Sequence, residues 1–139
     1  MSKYKTIQTE FKNIDSLRKA LDDVGYHRDH VVVAADPRQN SLPLYGYQGD
    51  RRPESAAVRI DRHGISRLSN DVGFAWNGQG YSLIVSDFDS GGYFNGQRTQ
   101  ALMQRYAYHE VVRKARQQGY QVKETTLADG TIQLQLQHY

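Results

Sequence analysis

The sequence predicts an α+β fold: an antiparallel sheet with two helices packed on one face, in a ferredoxin-like arrangement, formed by residues 1–139 as a single domain. Three features predict it. Short segments alternating apolar and polar side chains recur along the chain, two longer stretches carry helical periodicity, and most strands cluster between those two stretches. A chain of 139 residues is long enough to close one modest core without staples.

The first element is "YKTIQTEF", where Ile7, Thr9 and Phe11 alternate with Gln8 and Glu10, as on a half-buried strand. "NIDSLRKALDDVG" follows as a helix: Asn13 or Asp15 caps it, Leu17, Leu21 and Val24 make one buried stripe, and Gly25 ends it. "HVVVAAD" from His30 to Asp36 is a β-branched run and reads as a strand. "PRQNSLPLYGYQGDRRPE" holds all three prolines of the chain and reads as a long irregular loop. In "SAAVRID", Ala56, Val58 and Ile60 take one side, Ala57 and Arg59 the other. "RHGISRLSND" is a turn region. "VGFAW" puts Val72, Phe74 and Trp76 on one face, "NGQG" is a tight hairpin turn, and "YSLIVSDFD" returns with Tyr81, Leu83 and Val85 on one side. A long helix runs from Asn95 to Gln118, closed by Gly119. The chain finishes in a hairpin around Asp129-Gly130, with Ile132, Leu134 and Leu136 alternating with three glutamines. The order is β-α-β-β-β-β-α-β-β, and the sheet face away from the helices is expected to be partly open.

The net charge of +3 is a mild basic excess, compatible with an acidic partner. No cysteine is present, which removes disulfides, thiol catalysis and cysteine-ligated metal centres together. The first residues, "MSKYKTIQTEFKN", lack the apolar core of a signal peptide, and no apolar window has the length of a membrane span, so a soluble intracellular form is expected.

The long helix carries the most chemistry. At 100° per residue, Ala101, Gln104, Ala107, Tyr108, Val111, Val112 and Ala115 share a broad arc, taken as the sheet-facing side. Arg105, His109, Arg113 and Arg116 cluster on another arc. Between Asn95 and Gln118 there are five Arg or Lys residues and only Glu110 opposes them. Such a stripe suits an acidic protein face, a phosphate or RNA, although surface helices carry similar stripes simply to stay solvated. His27 and His30 around Asp29 lie in a loop without a third ligand at metal-site spacing. "DFDSGG" lacks the full calcium-loop pattern and reads as a capped strand end with a glycine hinge. No nucleophile elbow and no phosphate-binding glycine loop occurs. A non-enzymatic role without cofactor or metal is therefore expected.

Four blocks, "TIQTEFKNIDSLRKALDDVGY", "YGYQGD" with "AAVRI", "DVGFAWNGQGYSLIVSDFD" and "QRYAYHEVVRKARQQGYQVKETTLADGTIQLQL", resemble in this order the family of the hypothetical plastid reading frame thirty-five. That family is a domain of unknown function found in cyanobacteria and algal plastids. The chain departs from its pattern where Phe88 and Asp89 replace paired tryptophans, in two longer connections, and at the terminal Gln137-His138-Tyr139.

The resemblance implies a factor of the cyanobacterial cytoplasm or plastid stroma, accessory to photosynthesis, with photosystem I assembly or accumulation its suggested role. It brings no catalytic residues. The expected partner is thus an acidic protein, such as a photosystem I subunit or assembly intermediate. Arg105, His109, Arg113 and Arg116 would supply the charged contact, and Trp76, Tyr45 and Tyr47 the aromatic part. Two alternatives stand beside it: an RNA- or DNA-binding module using the basic helix and sheet aromatics, and an enzyme or metal site near the 36–54 loop, around His27, Asp36 or Asp50.

Overall fold

The computed structural model describes residues 3–138; Met1, Ser2 and Tyr139, at the chain ends read above, lie outside them. Strand β1 (Tyr4–Phe11) runs into helix α1 (Ile14–Asp23), then β2 (Val31–Val33), β3 (Leu42–Tyr45), β4 (Arg51–Ala56) and β5 (Val58–Ile60). The meander continues with β6 (Val72–Trp76) and β7 (Tyr81–Ser86), a short helix α2 (Asp87–Ser90), the long helix α3 (Gly96–Gln117), and the strands β8 (Tyr120–Thr126) and β9 (Ile132–His138).

The main sheet has five strands in the order β1-β7-β6-β5-β2, every neighbouring pair antiparallel. Both long helices lie on one face. Leu17, Ala20 and Leu21 of α1 and Leu102 and Tyr106 of α3 join Val58, Ile60, Val72, Phe74, Leu83 and Val85 in one core. The expected α+β class and helix layering are thus present, and β1 and β2 form the two edges of the sheet.

The helix boundaries follow from their caps. The Asn13 side chain accepts from the Ser16 N–H at 3.0 Å, and that of Asn95 accepts from the Arg98 N–H at 3.1 Å. Gly25 and Gly119, both at positive φ, follow the two helices.

The second sheet face is covered at its centre and stays open along β1, where Thr6 and Gln8 are exposed. The stretch expected to be an irregular loop makes a hairpin, β3–β4, that lies over it: Leu44 and Ala56, both fully buried, pack against Ile84, with Tyr4 and Ala75 at the margin. Prolines masked these strands, because proline is permitted on such edge strands but gives no strand signal. The strand expected across "SAAVRID" breaks at Ala57, where the chain crosses from hairpin to main sheet. Ala56 therefore faces the hairpin, while Ala57 joins Val58 and Ile60 in the helical core. "DFD" leaves the strand as well: the Ser86 side chain caps α2 by accepting from the Asp89 N–H.

A candidate basic docking face along the two helices

The face of α3 turned inward is rotated from the expected one. Leu102, Tyr106, Val112 and Ala115 are its buried residues, and Val111 is 47% exposed. The reason is that α3 packs on α1 as well as on the sheet, so its inward side points between the two. The Tyr106 hydroxyl fixes that contact. It accepts from the backbone N–H groups of Lys12 and Asn13 at 2.8 and 2.9 Å, and donates to Glu110 at 3.3 Å. One phenol thus ties the β1–α1 turn to α3. Burial pushes its pKa up, outweighing those two backbone N–H groups.

The rotation places the predicted cationic stripe at the α1 seam, where much of its charge is matched. Asp23, at the end of α1, accepts from Arg105 Nε at 2.9 Å and pairs with His109 Nε2 at 2.5 Å. Burial alone would raise the Asp23 pKa, but the His109 and Arg105 hydrogen bonds outweigh it and hold the carboxyl below its ordinary range. Arg113 grips Glu110 through Nε at 2.6 Å and Nη2 at 3.1 Å, and Ser16 Oγ donates to the same carboxylate at 2.9 Å. The Arg113 hydrogen bond is the main reason that Glu110 also sits low. The Arg105 guanidinium lies 4.2 Å from the Tyr108 ring centre, and the Tyr108 hydroxyl donates to Glu124 of β8.

Arg116 is different: it is exposed and has no ion pair among the described residues. It lines, with Arg113, His109 and Lys19, a groove of about 570 Å³ between α1 and α3, opposed by Asp15. Lys19 also lines a neighbouring hollow of about 260 Å³ with Arg18, Arg28 and His27, opposed by Asp22. The two hollows make one basic belt along α1. Sequence reading missed Arg18, Lys19 and Arg28; they sit opposite the apolar stripe of α1 and beyond its end, where a helical wheel of that short helix would have shown the first two.

The predicted aromatic partners do not join this belt. Trp76 ends β6, packs edge-on against Tyr81, and carries the Arg38 guanidinium 5.0 Å from its ring centre. Asn40 bonds both backbone groups of Trp76, at 2.9 and 2.7 Å. Tyr45 and Tyr47 belong to the β3–β4 hairpin across the sheet; their N–H groups donate to Asp71 and Asn70 at 2.8 and 3.0 Å. Nor do His27, Asp36 and Asp50 converge. His27 caps its own turn by accepting from the Asp29 N–H, Asp36 accepts from the Arg38 N–H, and Asp50 pairs with Arg52.

A buried polar centre also went unread. Asp89 is fully buried, and its Oδ2 accepts from the Asn70 N–H, Asn70 Nδ2 and Ser86 Oγ at 3.0, 3.2 and 2.8 Å. The neighbouring Asp71 accepts from the N–H groups of Tyr45 and Arg62, at 2.8 and 2.7 Å, and burial raises its pKa despite them. This centre staples "SND", α2 and the β3–β4 hairpin together.

Comparison with known proteins gives two full-length likenesses. "Uncharacterized protein ycf35" of Guillardia theta is 28% identical over 145 residues, spanning 100% of this chain and 98% of the relative. The protein of the same name in Pyropia yezoensis is 23% identical with the same coverage. No solved structure matches the chain. Residues 20–135, the span from the last turns of α1 into β9, match one family throughout, and the chain belongs to it: the family described as "Protein of unknown function (DUF1257)".

Proposed function

We propose that the chain is a non-enzymatic binding factor whose basic belt receives an acidic segment of a protein partner, in the assembly or maintenance of a photosynthetic complex such as photosystem I. One observation carries the binding role: Lys19 and Arg116, the latter without an ion pair among the described residues, converge on one groove beside the Glu110-bound Arg113, continued by Arg18 and Arg28, against Asp15 and Asp22. Clustered cations on one face attract an acidic surface at long range and fix its register at contact. Arg105 acts from behind the belt and His109 from the groove wall. Bound to Asp23, they hold the two helices at the spacing that forms the groove. The photosynthetic setting rests on the family likeness alone.

The nucleic-acid reading is less favoured, because β3–β4 covers the centre of the face on which bases would stack.

The test is retention of photosystem I subunits from solubilised photosynthetic membranes on the immobilised protein, read by mass spectrometry. Lys19→Glu with Arg116→Glu should reduce retention at least tenfold and flatten its dependence on salt, while Trp76→Ala leaves it intact. Equal retention by the charge-reversed and parent proteins rejects the belt as the docking face.

A further inference from the structure

Helix α3 overhangs a sheet edge with no described strand beneath it. β1 is the outermost strand on that side, and no described strand pairs its outer edge. The Asp87 N–H donates to the Lys3 carbonyl on the β7 side. Antiparallel alternation then turns the backbone groups of Lys5 and Ile7 toward β7, and those of Tyr4 and Thr6 outward.

Along this edge runs a groove of about 730 Å³, walled by Lys5 and Ile7 of β1, by Phe94, and by Thr99, Met103 and Ala107 of α3. Those three helix positions recur at intervals of four, so they form one face. Val111 continues it, and Met103 and Val111 remain 40% and 47% exposed. A helix face of this kind normally covers a strand.

The same chain carries a strand whose apolar side is unburied. β9 alternates Ile132, Leu134 and Leu136 with glutamines, and Ile132 and Leu136 are 39% and 47% exposed. Among the described residues it pairs only with β8, in a separate two-stranded sheet. A lone hairpin does not bury its own apolar side. Within one copy, Tyr108 and Glu124 hold the hairpin to the flank of α3 that faces α1, away from β1. The groove shows one cation, Lys5, and residues 132–137 of β9 carry no charged side chain, so an uncharged amphipathic strand fits the groove better than an acidic one.

We infer that β9 of a second copy adds to the outer edge of β1 as a sixth strand beneath α3. Reciprocal addition gives a closed two-fold dimer in which Ile132, Leu134 and Leu136 fill the groove. The surface is separate from the basic belt, so neither proposal depends on the other.

Sedimentation equilibrium of the full chain tests this, with Met103→Glu in the groove and Leu136→Lys on the strand. Both sites are exposed, so thermal unfolding should show both variants folded. The parent should reach twice its 15.9 kDa chain mass. Each variant alone should weaken dimerisation by about tenfold or more. An equimolar mixture should recover the two-chain species, since it restores one intact groove–strand contact and sets the introduced carboxylate against the introduced ammonium in the other. A parent that stays at single-chain mass up to millimolar concentration overturns the inference. So does a dimer indifferent to either variant, or a mixture that fails to recover it.

Discussion

Asp23 ties the end of α1 to two side chains of α3 at once. It is a partly exposed carboxylate, 29% accessible, serving the Arg105 guanidinium and the His109 ring from α3. Its folded pKa is lowered from the ordinary 3.8, so the stability it contributes is present above that value and disappears as pH falls through the folded one. Asp23→Asn should therefore cost about 0.5–1 kcal/mol at neutral pH, the range for solvent-screened pairs. Urea unfolding at descending pH should show the gap between variant and parent closing below 3.8; a gap that persists unchanged in strong acid would mean that packing, not charge, made the difference. None of this was legible in sequence. The helical wheel of α3 placed Arg105 and His109 correctly beside each other, but their partner lies 82 and 86 positions away, on another helix. A wheel knows nothing of what stands opposite, so half-buried seam residues looked like free surface charge. The buried carboxylates Asp71 and Asp89 were hidden for a related reason: Asp next to Ser and Asn reads as turn chemistry, and only tertiary closure turns it into a core network.

Among the elements, those whose signals are local were readable. Asn13, Asn95, Gly25 and Gly119 mark helix ends through caps that act within four residues, and β6–β7 declare themselves by alternation around Asn77-Gly78. The β3–β4 hairpin was not readable, because two of its positions are Pro43 and Pro53 and its burial depends on contacts far away in sequence. Gly73, in the middle of β6, is what admits it. A Cβ there would stand 2.8 Å from the Ala56 Cβ and 3.0 Å from Leu44 Cδ1, inside contact distance of two side chains that are themselves fully buried. Gly73→Ala must push the hairpin off the sheet, with an overpacking cost of about 1–3 kcal/mol. The measurement is thermal unfolding together with quenching of Trp76 fluorescence, since Asn40, just before β3, bonds the Trp76 backbone. A lowered melting temperature with increased quencher access is expected, and an unchanged protein would show that the hairpin does not rest on Gly73.

Over the whole molecule, three layers differ in how firmly they are held. The sheet centre is most protected: all six residues of β7 are buried, and the strand pairs on both sides. The helical layer is fastened by Leu17, Leu21, Leu102 and Tyr106 and by the ion pairs at the α1–α3 seam. The β8–β9 hairpin is attached through α3 and is largely exposed, with none of its described residues in either buried cluster. Local opening costs least where few apolar contacts must break, so exchange rates should rank these layers. In hydrogen–deuterium exchange read by mass spectrometry, peptides over 81–86 and 72–76 should exchange only with global unfolding. Peptides over 120–137 should exchange orders of magnitude faster in dilute solution, because their opening leaves the cores intact. Strand addition between copies makes this ranking depend on concentration. Raising the protein concentration should slow exchange in 132–137 and in 4–8 together, since one new ladder protects both, while 81–86 stays constant. Slowing in one of these segments without the other would mean that each is covered by something different, and the two unpaired edges would no longer be each other's partners.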